Sequence, residues 1–265
     1  MALALRYAEE SEFSSRACDI TCLEAPDVTH KAFFRWSRSV RRLLEPLAHD
    51  LVNIKTLIVA MPGAPHQFVK QLTASWTAVG ALVTSDQMTC SPLAGIILSE
   101  KGLDVSIAGN CLALLVGQEV TSAATSVWLN KLRTQINAED IVCLSSQVST
   151  IYGDESAEAE VGVKLRMLAT SAVTEEMTEQ TLVPSLEVPQ FVTGIPAALL
   201  AHGELRQRRV RVFVSLRDVS TTEDDVMRSF LPLAATASSV LGRFERPLVY
   251  ESTRKNNSAI GVLYT

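Results

Sequence analysis

Apolar positions fall into short continuous runs separated by stretches where they recur every three or four residues, and this alternation predicts the elements. Across residues 31–47, Phe33, Trp36, Val40, Leu43 and Leu47 repeat at helical spacing, and Pro46 ends the stripe. Lys31, Arg35, Arg38 and Arg42, with Arg41 beside them, form a second, basic stripe. Its first reading is a helix packed on the core with a solvated basic side; the second is a helix that docks on an acidic partner. Residues 54–60 are a β-branched run typical of a buried strand, Pro62-Gly63-Ala64-Pro65 breaks it, and residues 66–79 read as a helix.

The alternation continues. Residues 93–98 and 111–116 predict strands, 122–136 a helix, 141–144 a strand and 161–168 a partly alternating strand. Residues 170–190, with Glu175, Glu176, Glu179, Pro184 and Pro189, read as a surface excursion. Thr193 is placed to cap a helix with Pro196 in its first turn, residues 210–216 form a strong strand, and Thr222-x-x-Asp225 has the spacing of a capping box. Strands alternating with helices predict an α/β fold, a single layered domain with a largely parallel central sheet flanked by helices. The expected organisation is an N-terminal extension over 1–30, an α/β domain over 31–245 and a flexible C-terminal tail over 246–265.

Composition narrows the function classes. With 265 residues, 47% hydrophobic and 20% charged, the chain has the make-up of an ordinary globular protein. A net charge of -5 argues against general nucleic-acid binding, which needs a basic footprint. No secretory leader and no membrane-spanning run is expected. The five cysteines, Cys18, Cys22, Cys90, Cys111 and Cys143, are scattered and fit a reducing, cytosolic setting. Neither a phosphate-binding glycine loop nor a nucleophile elbow is present. His202-Gly203-Glu204 opens like a zinc deaminase site but nothing completes it, and Cys18, Cys22 and His30 lack a fourth ligand. No metal, cofactor or catalytic constellation is expected.

The last three residues offer different chemistry. Leu263 supplies apolar area, Tyr264 a broad ring with a polar tip, and Thr265 a carboxylate, on a polar tether over 251–261. Capture of a carboxylate chain end in a partner's pocket is an established recognition mode, and tyrosine suits it because it buries area while losing few rotamers.

Leu186-Glu187-Val188-Pro189-Gln190-Phe191-Val192-Thr193-Gly194-Ile195-Pro196-Ala197-Ala198-Leu199-Leu200, followed by strand 210–216, resembles the proteasome assembly chaperone 1 family. There a proline-containing segment leads into a leucine- or isoleucine-Pro-Ala-Ala helix and a buried strand, and the chain closes on an aliphatic-Tyr-Thr tail like Leu263, Tyr264 and Thr265. The resemblance implies a non-enzymatic chaperone of the cytoplasm and nucleus. It would pair with proteasome assembly chaperone 2 and sit on the ring of proteasome α subunits. Leu263 would pack on the wall of an inter-subunit pocket, Tyr264 would wedge between subunits, and the Thr265 carboxylate would pair with a pocket lysine. The alternative expectation is a small-molecule enzyme on a phosphorylase- or hydrolase-like α/β fold, with a deep polar pocket at the strand ends.

Overall fold

The computed structural model describes residues 30–44, 51–97, 107–149, 163–174, 183–188, 190–218 and 221–235. The elements below belong to the unit Lys31–Thr265. Eight strands make one mixed sheet: β1 (Ala32–Trp36), β2 (Val52–Ala60), β3 (Thr77–Thr84), β4 (Ser91–Ile97), β5 (Ile107–Leu115), β6 (Ile136–Val148), β7 (Lys164–Ala169) and β8 (Arg209–Arg217). Their order is β1-β3-β4-β5-β2-β6-β8-β7. The centre, β5-β2-β6-β8, is parallel; β4, β3 and β1 continue it antiparallel on one side and β7 on the other. This is the layered α/β domain that the alternation predicts.

Helices α1 (Arg38–Leu44), α2 (Ala64–Leu72), α3 (Ser122–Gln135), α4 (Ser171–Thr174), α5 (Gly194–Leu205), α6 (Glu223–Ser229) and α7 (Leu231–Ala235) join the strands. Because helices lie on both faces, the central strands are buried on both sides: Leu57 to Ala60, Leu112 to Leu115 and Val210 to Ser215 are buried residue after residue. One core packs Trp128, Leu129 and Leu132 of α3 and Ile195 and Leu199 of α5 on the sheet with Trp36 and Val40. The other packs Phe68 and Val69 of α2 with Val226, Met227, Phe230 and Leu233, and the Phe68 and Phe230 ring centroids lie 5.6 Å apart. At Gly203 a Cβ would come within 2.4 Å of Val210 Cγ2, so this glycine lets α5 lie close against β8.

The structure corrects several expectations. Residues 31–47 are not one helix: Ala32–Trp36 is the edge strand β1, and α1 begins only at Arg38. The stripe Phe33, Trp36, Val40 fits a helix by spacing, but Ala32-Phe33-Phe34-Arg35-Trp36 also alternates with period two. Phe34 and Trp36 share the inner face and meet edge-on at 4.8 Å, while Phe33 is 58% exposed. Trp36 Nε1 donates to Gln135 Oε1 at 3.2 Å, and the Ser37 hydroxyl accepts from Val40 N–H to start α1. Pro46 and Leu47 lie outside the described residues.

The helix read over 66–79 ends at Leu72, and Thr77–Thr84 is strand β3, whose Val79 and Leu82 are buried. Strand β6 runs far beyond 141–144, from Ile136 to Val148. The excursion over 170–190 is partly core: Thr170, Val173 and Val183 are buried. Met167 N–H donates to the Pro184 carbonyl and Leu186 N–H to the Met167 carbonyl, both at 2.9 Å, so this segment covers the outer edge of β7. Residues 175–182 and Pro189 lie outside the described set. Thr222 behaves as predicted, its hydroxyl accepting from Asp225 N–H at 3.3 Å. No helix among the described residues is long and apolar enough to cross a membrane.

Candidate functional site

Leu263, Tyr264 and Thr265 lie outside the described residues, as do the tether over 251–261 and Cys18 and Cys22. Within the described residues, a cleft of about 490 Å³ opens at the carboxyl ends of the parallel strands. Neighbouring strands β2 and β5 send their chains to opposite faces there: after β2 the chain turns to α2 over one core, after β5 to α3 over the other. Such a divergence leaves a gap between the two loops, where open α/β sheets hold ligands.

Four segments line the gap: Met61 and Pro62 after β2, Glu119 to Ser122 after β5, Ser145 to Gln147 of β6, and Val192 to Pro196 entering α5. Strand β2 stops pairing with β6 at Leu144, so Ser145, Ser146 and Gln147 stand beyond its end and form one wall.

The β5 rim is fastened by the β3–β4 turn. Asp86 Oδ2 accepts from the Thr121 hydroxyl at 2.9 Å and from Thr121 N–H at 3.2 Å. Gln87 Nε2 donates to the Gln118 carbonyl at 2.9 Å, and Met88 N–H to Gln118 Oε1 at 3.1 Å. Thr121 caps α3 in turn, its hydroxyl accepting from Ala124 N–H. Burial works against the Asp86 charge, but the nearby Thr84 hydroxyl and the hydrogen bonds from the side chain and backbone of Thr121 outweigh it and hold the carboxyl below its ordinary value. The folded protein therefore binds this proton more weakly than the unfolded chain. The stabilisation is complete above the ordinary carboxylate range and is lost as pH falls through that range to the depressed folded value. Asp86→Asn should lower the melting temperature at about pH 7, and the gap from the parent should close towards about pH 3. Thermal melts across that range check this, and a gap that stays constant would contradict it.

At α5, Thr193 occupies the capping position, but its side chain makes no capping hydrogen bond, unlike the sequence expectation. Gly194 takes φ +64, a left-handed conformation that favours glycine, with open space where a Cβ would stand. Pro196 removes one N–H from this first turn.

Other candidate groups lie elsewhere. His202 is on α5, its pKa lowered by burial and then by Arg133, Arg206 and Arg208, and His66 is lowered by burial and Lys70. Cys111 and Cys143 are free thiols whose burial pushes their pKa up, to about 12 for Cys111. No group of three or more His, Cys, Asp or Glu among the described residues could hold a metal ion. Arg35, Arg38, Arg41 and Arg42 are exposed on β1 and α1. Val188 is 93% exposed and Phe191 64%. Gln190 Nε2 donates to Ser149 Oγ at 3.2 Å and so holds these residues beside the end of β6, where Val148 is also exposed. Sequence reasoning missed the cleft residues; the one available signal was the break after β2 and the polar Gly117–Thr121 turn after β5, each ending a strand of the parallel centre.

No family model and no curated protein matches the sequence. Solved structures match in fold. The chain is similar to PbaA of Pyrococcus furiosus, an archaeal homolog of proteasome-assembly chaperone, at TM-score 0.51 and 12% identity over 79% of this chain and 84% of that one. A Thermoplasma acidophilum protein of unknown function matches at TM-score 0.50 and 10% identity over 74% and 81%. PbaB of Pyrococcus furiosus, an archaeal proteasome activator, matches at TM-score 0.49 and 12% identity over 76% and 86%.

Proposed function

We propose that this chain is a chaperone for assembly of the proteasome core particle. It works as a heterodimer with proteasome assembly chaperone 2 on the ring of α subunits. The observation that carries the reading is its fold likeness to PbaA over 79% of the chain. A sequence feature supports it independently: within residues 186–200 and 210–216, which resemble the proteasome assembly chaperone 1 family, the described residues 190–193 lead into α5, 194–200 form most of α5, and 210–216 lie in β8. The exposed Val188, Phe191 and Val148 offer apolar area beside that unit for the partner chaperone. Leu263, Tyr264 and the carboxylate assigned to Thr265 enter a pocket between neighbouring α subunits, Leu263 on its wall, Tyr264 as the wedge and the carboxylate against a lysine.

Mass spectrometry of proteins recovered with the N-terminally tagged full chain tests this reading. The expected catch is proteasome α subunits with one related α/β protein. A well-folded bait that brings down neither would overturn it. The second reading, a small-molecule enzyme, is favoured by the cleft at the strand ends, whose described lining carries Glu119 as its only titratable side chain. That enzyme would work equally well without residues 263–265.

A further inference from the structure

We infer that the cleft between the ends of β2, β5 and β6 is a small-molecule site for a neutral, hydroxyl-bearing ligand with one apolar face, of nucleoside size. Its place is the divergence of the β2 and β5 connections, which opens a gap between the two loops beyond the strand ends. The volume, about 490 Å³, falls within the range of small-molecule pockets. Met61, Pro62, Val120, Val192, Ile195 and Pro196 supply apolar surface for one face of a ligand.

Against that surface stand hydroxyls and one amide. Thr121 is committed to Asp86 and to the cap of α3. Ser145, Ser146 and Gln147 make no side-chain hydrogen bond within the described residues and line the cleft. Glu119 is the one charged group of the described lining, and a carboxylate accepts from two neighbouring hydroxyls of a sugar-like ring.

Charge decides between a neutral ligand and a phosphorylated one. No Lys, Arg or His is among the described lining residues, and Glu119 repels an anion. Neither helix start reverses this: that of α3 is closed by Thr121 and by the Asp86 carboxylate, and that of α5 has lost an N–H at Pro196. The cleft therefore favours the unphosphorylated form and engages adjacent hydroxyls through Glu119. This site is separate from the chain end invoked for proteasome binding, and its test does not depend on that reading.

Titration calorimetry on the full chain, with adenosine as the probe and AMP and 2′-deoxyadenosine as comparisons, tests the assignment. The expected result is an adenosine Kd below about 1 mM, with AMP weaker by about tenfold or more. Glu119→Gln should weaken adenosine about tenfold while leaving 2′-deoxyadenosine, already weak, nearly unchanged. Ser145→Val, a substitution at the wall rather than the rim, should weaken both nucleosides. No adenosine binding to folded protein, AMP binding more tightly than adenosine, or an unchanged Kd in Glu119→Gln would each overturn it.

Discussion

Removing residues 263–265 from the full chain should lower its affinity for proteasome α subunits by about 100-fold or more, without lowering its melting temperature. The size follows from the chemistry proposed for the tail. A tyrosine anchor seated in a pocket is worth about 2 kcal/mol or more. A hydrogen bond to a charged group adds about 1.5–3 kcal/mol, and each 1.4 kcal/mol is about tenfold in affinity. Extending the chain beyond Thr265 by a few residues should cost nearly as much, because it moves the carboxylate away from the pocket lysine while keeping every side chain. Folding should be indifferent, since the described cores draw on residues between Trp36 and Leu233. Binding assays on purified subunits distinguish the cases, and equal affinity in both variants would remove the tail from the mechanism.

Arg211→Met should destabilise the described domain by about 3 kcal/mol of unfolding free energy. Arg211 of β8 pairs with Asp140 of β6, the two side chains only 10% and 16% exposed. In the β6–β8 register Asp140 stands opposite Arg209, so Arg211 reaches it diagonally across the ladder. Arg211 Nε and Asp140 Oδ1 are buried and unpartnered among the described residues, so the pair is held by one contact. Truncating the arginine takes its ion-pair partner from an Asp140 carboxylate whose side chain is only 16% exposed, which costs more than the pair itself contributes. The double variant Asp140→Leu with Arg211→Met removes both charges and should return to within about 1 kcal/mol of the parent. Urea unfolding of the two singles and the double reads this directly. A double variant as unstable as the sum of the singles would contradict the account.

Much of the fold could be read from the sequence wherever a run was both long and unambiguous in period. In Val210 to Leu216 the apolar residues Val210, Val212, Val214 and Leu216 recur at every second position on one face of β8, while Arg211, Phe213 and Ser215 take the other, and that period of two marks the strand. Thr222 and Asp225 carry their own local chemistry, so their capping needed no tertiary information. Phe33, Trp36 and Val40 failed for the opposite reason: their spacing suits a helix, and only pairing with β3 decides for a strand. Val79 was drawn into a preceding helix because Thr73, where α2 ends, is neither Gly nor Pro.

The cleft was illegible because its lining comes from four separated segments, and its Ser, Thr and Gln residues form no motif. What assembles it is the direction in which two neighbouring crossovers leave the sheet, a property of topology that no local pattern encodes. The strand-end pocket expected of an enzyme has its counterpart in this place. The chemistry of Leu263, Tyr264 and Thr265 is the reverse case, plain in the sequence and lying outside the described residues.

The central claim is that Tyr264 enters a crevice between two proteasome α subunits. The direct measurement replaces Tyr264 with a photoreactive phenylalanine derivative, irradiates the complex and maps the cross-links by mass spectrometry. The account predicts cross-links to residues of two neighbouring α subunits. Cross-links confined to the chain's own domain, in a sample where the complex is intact, would contradict it.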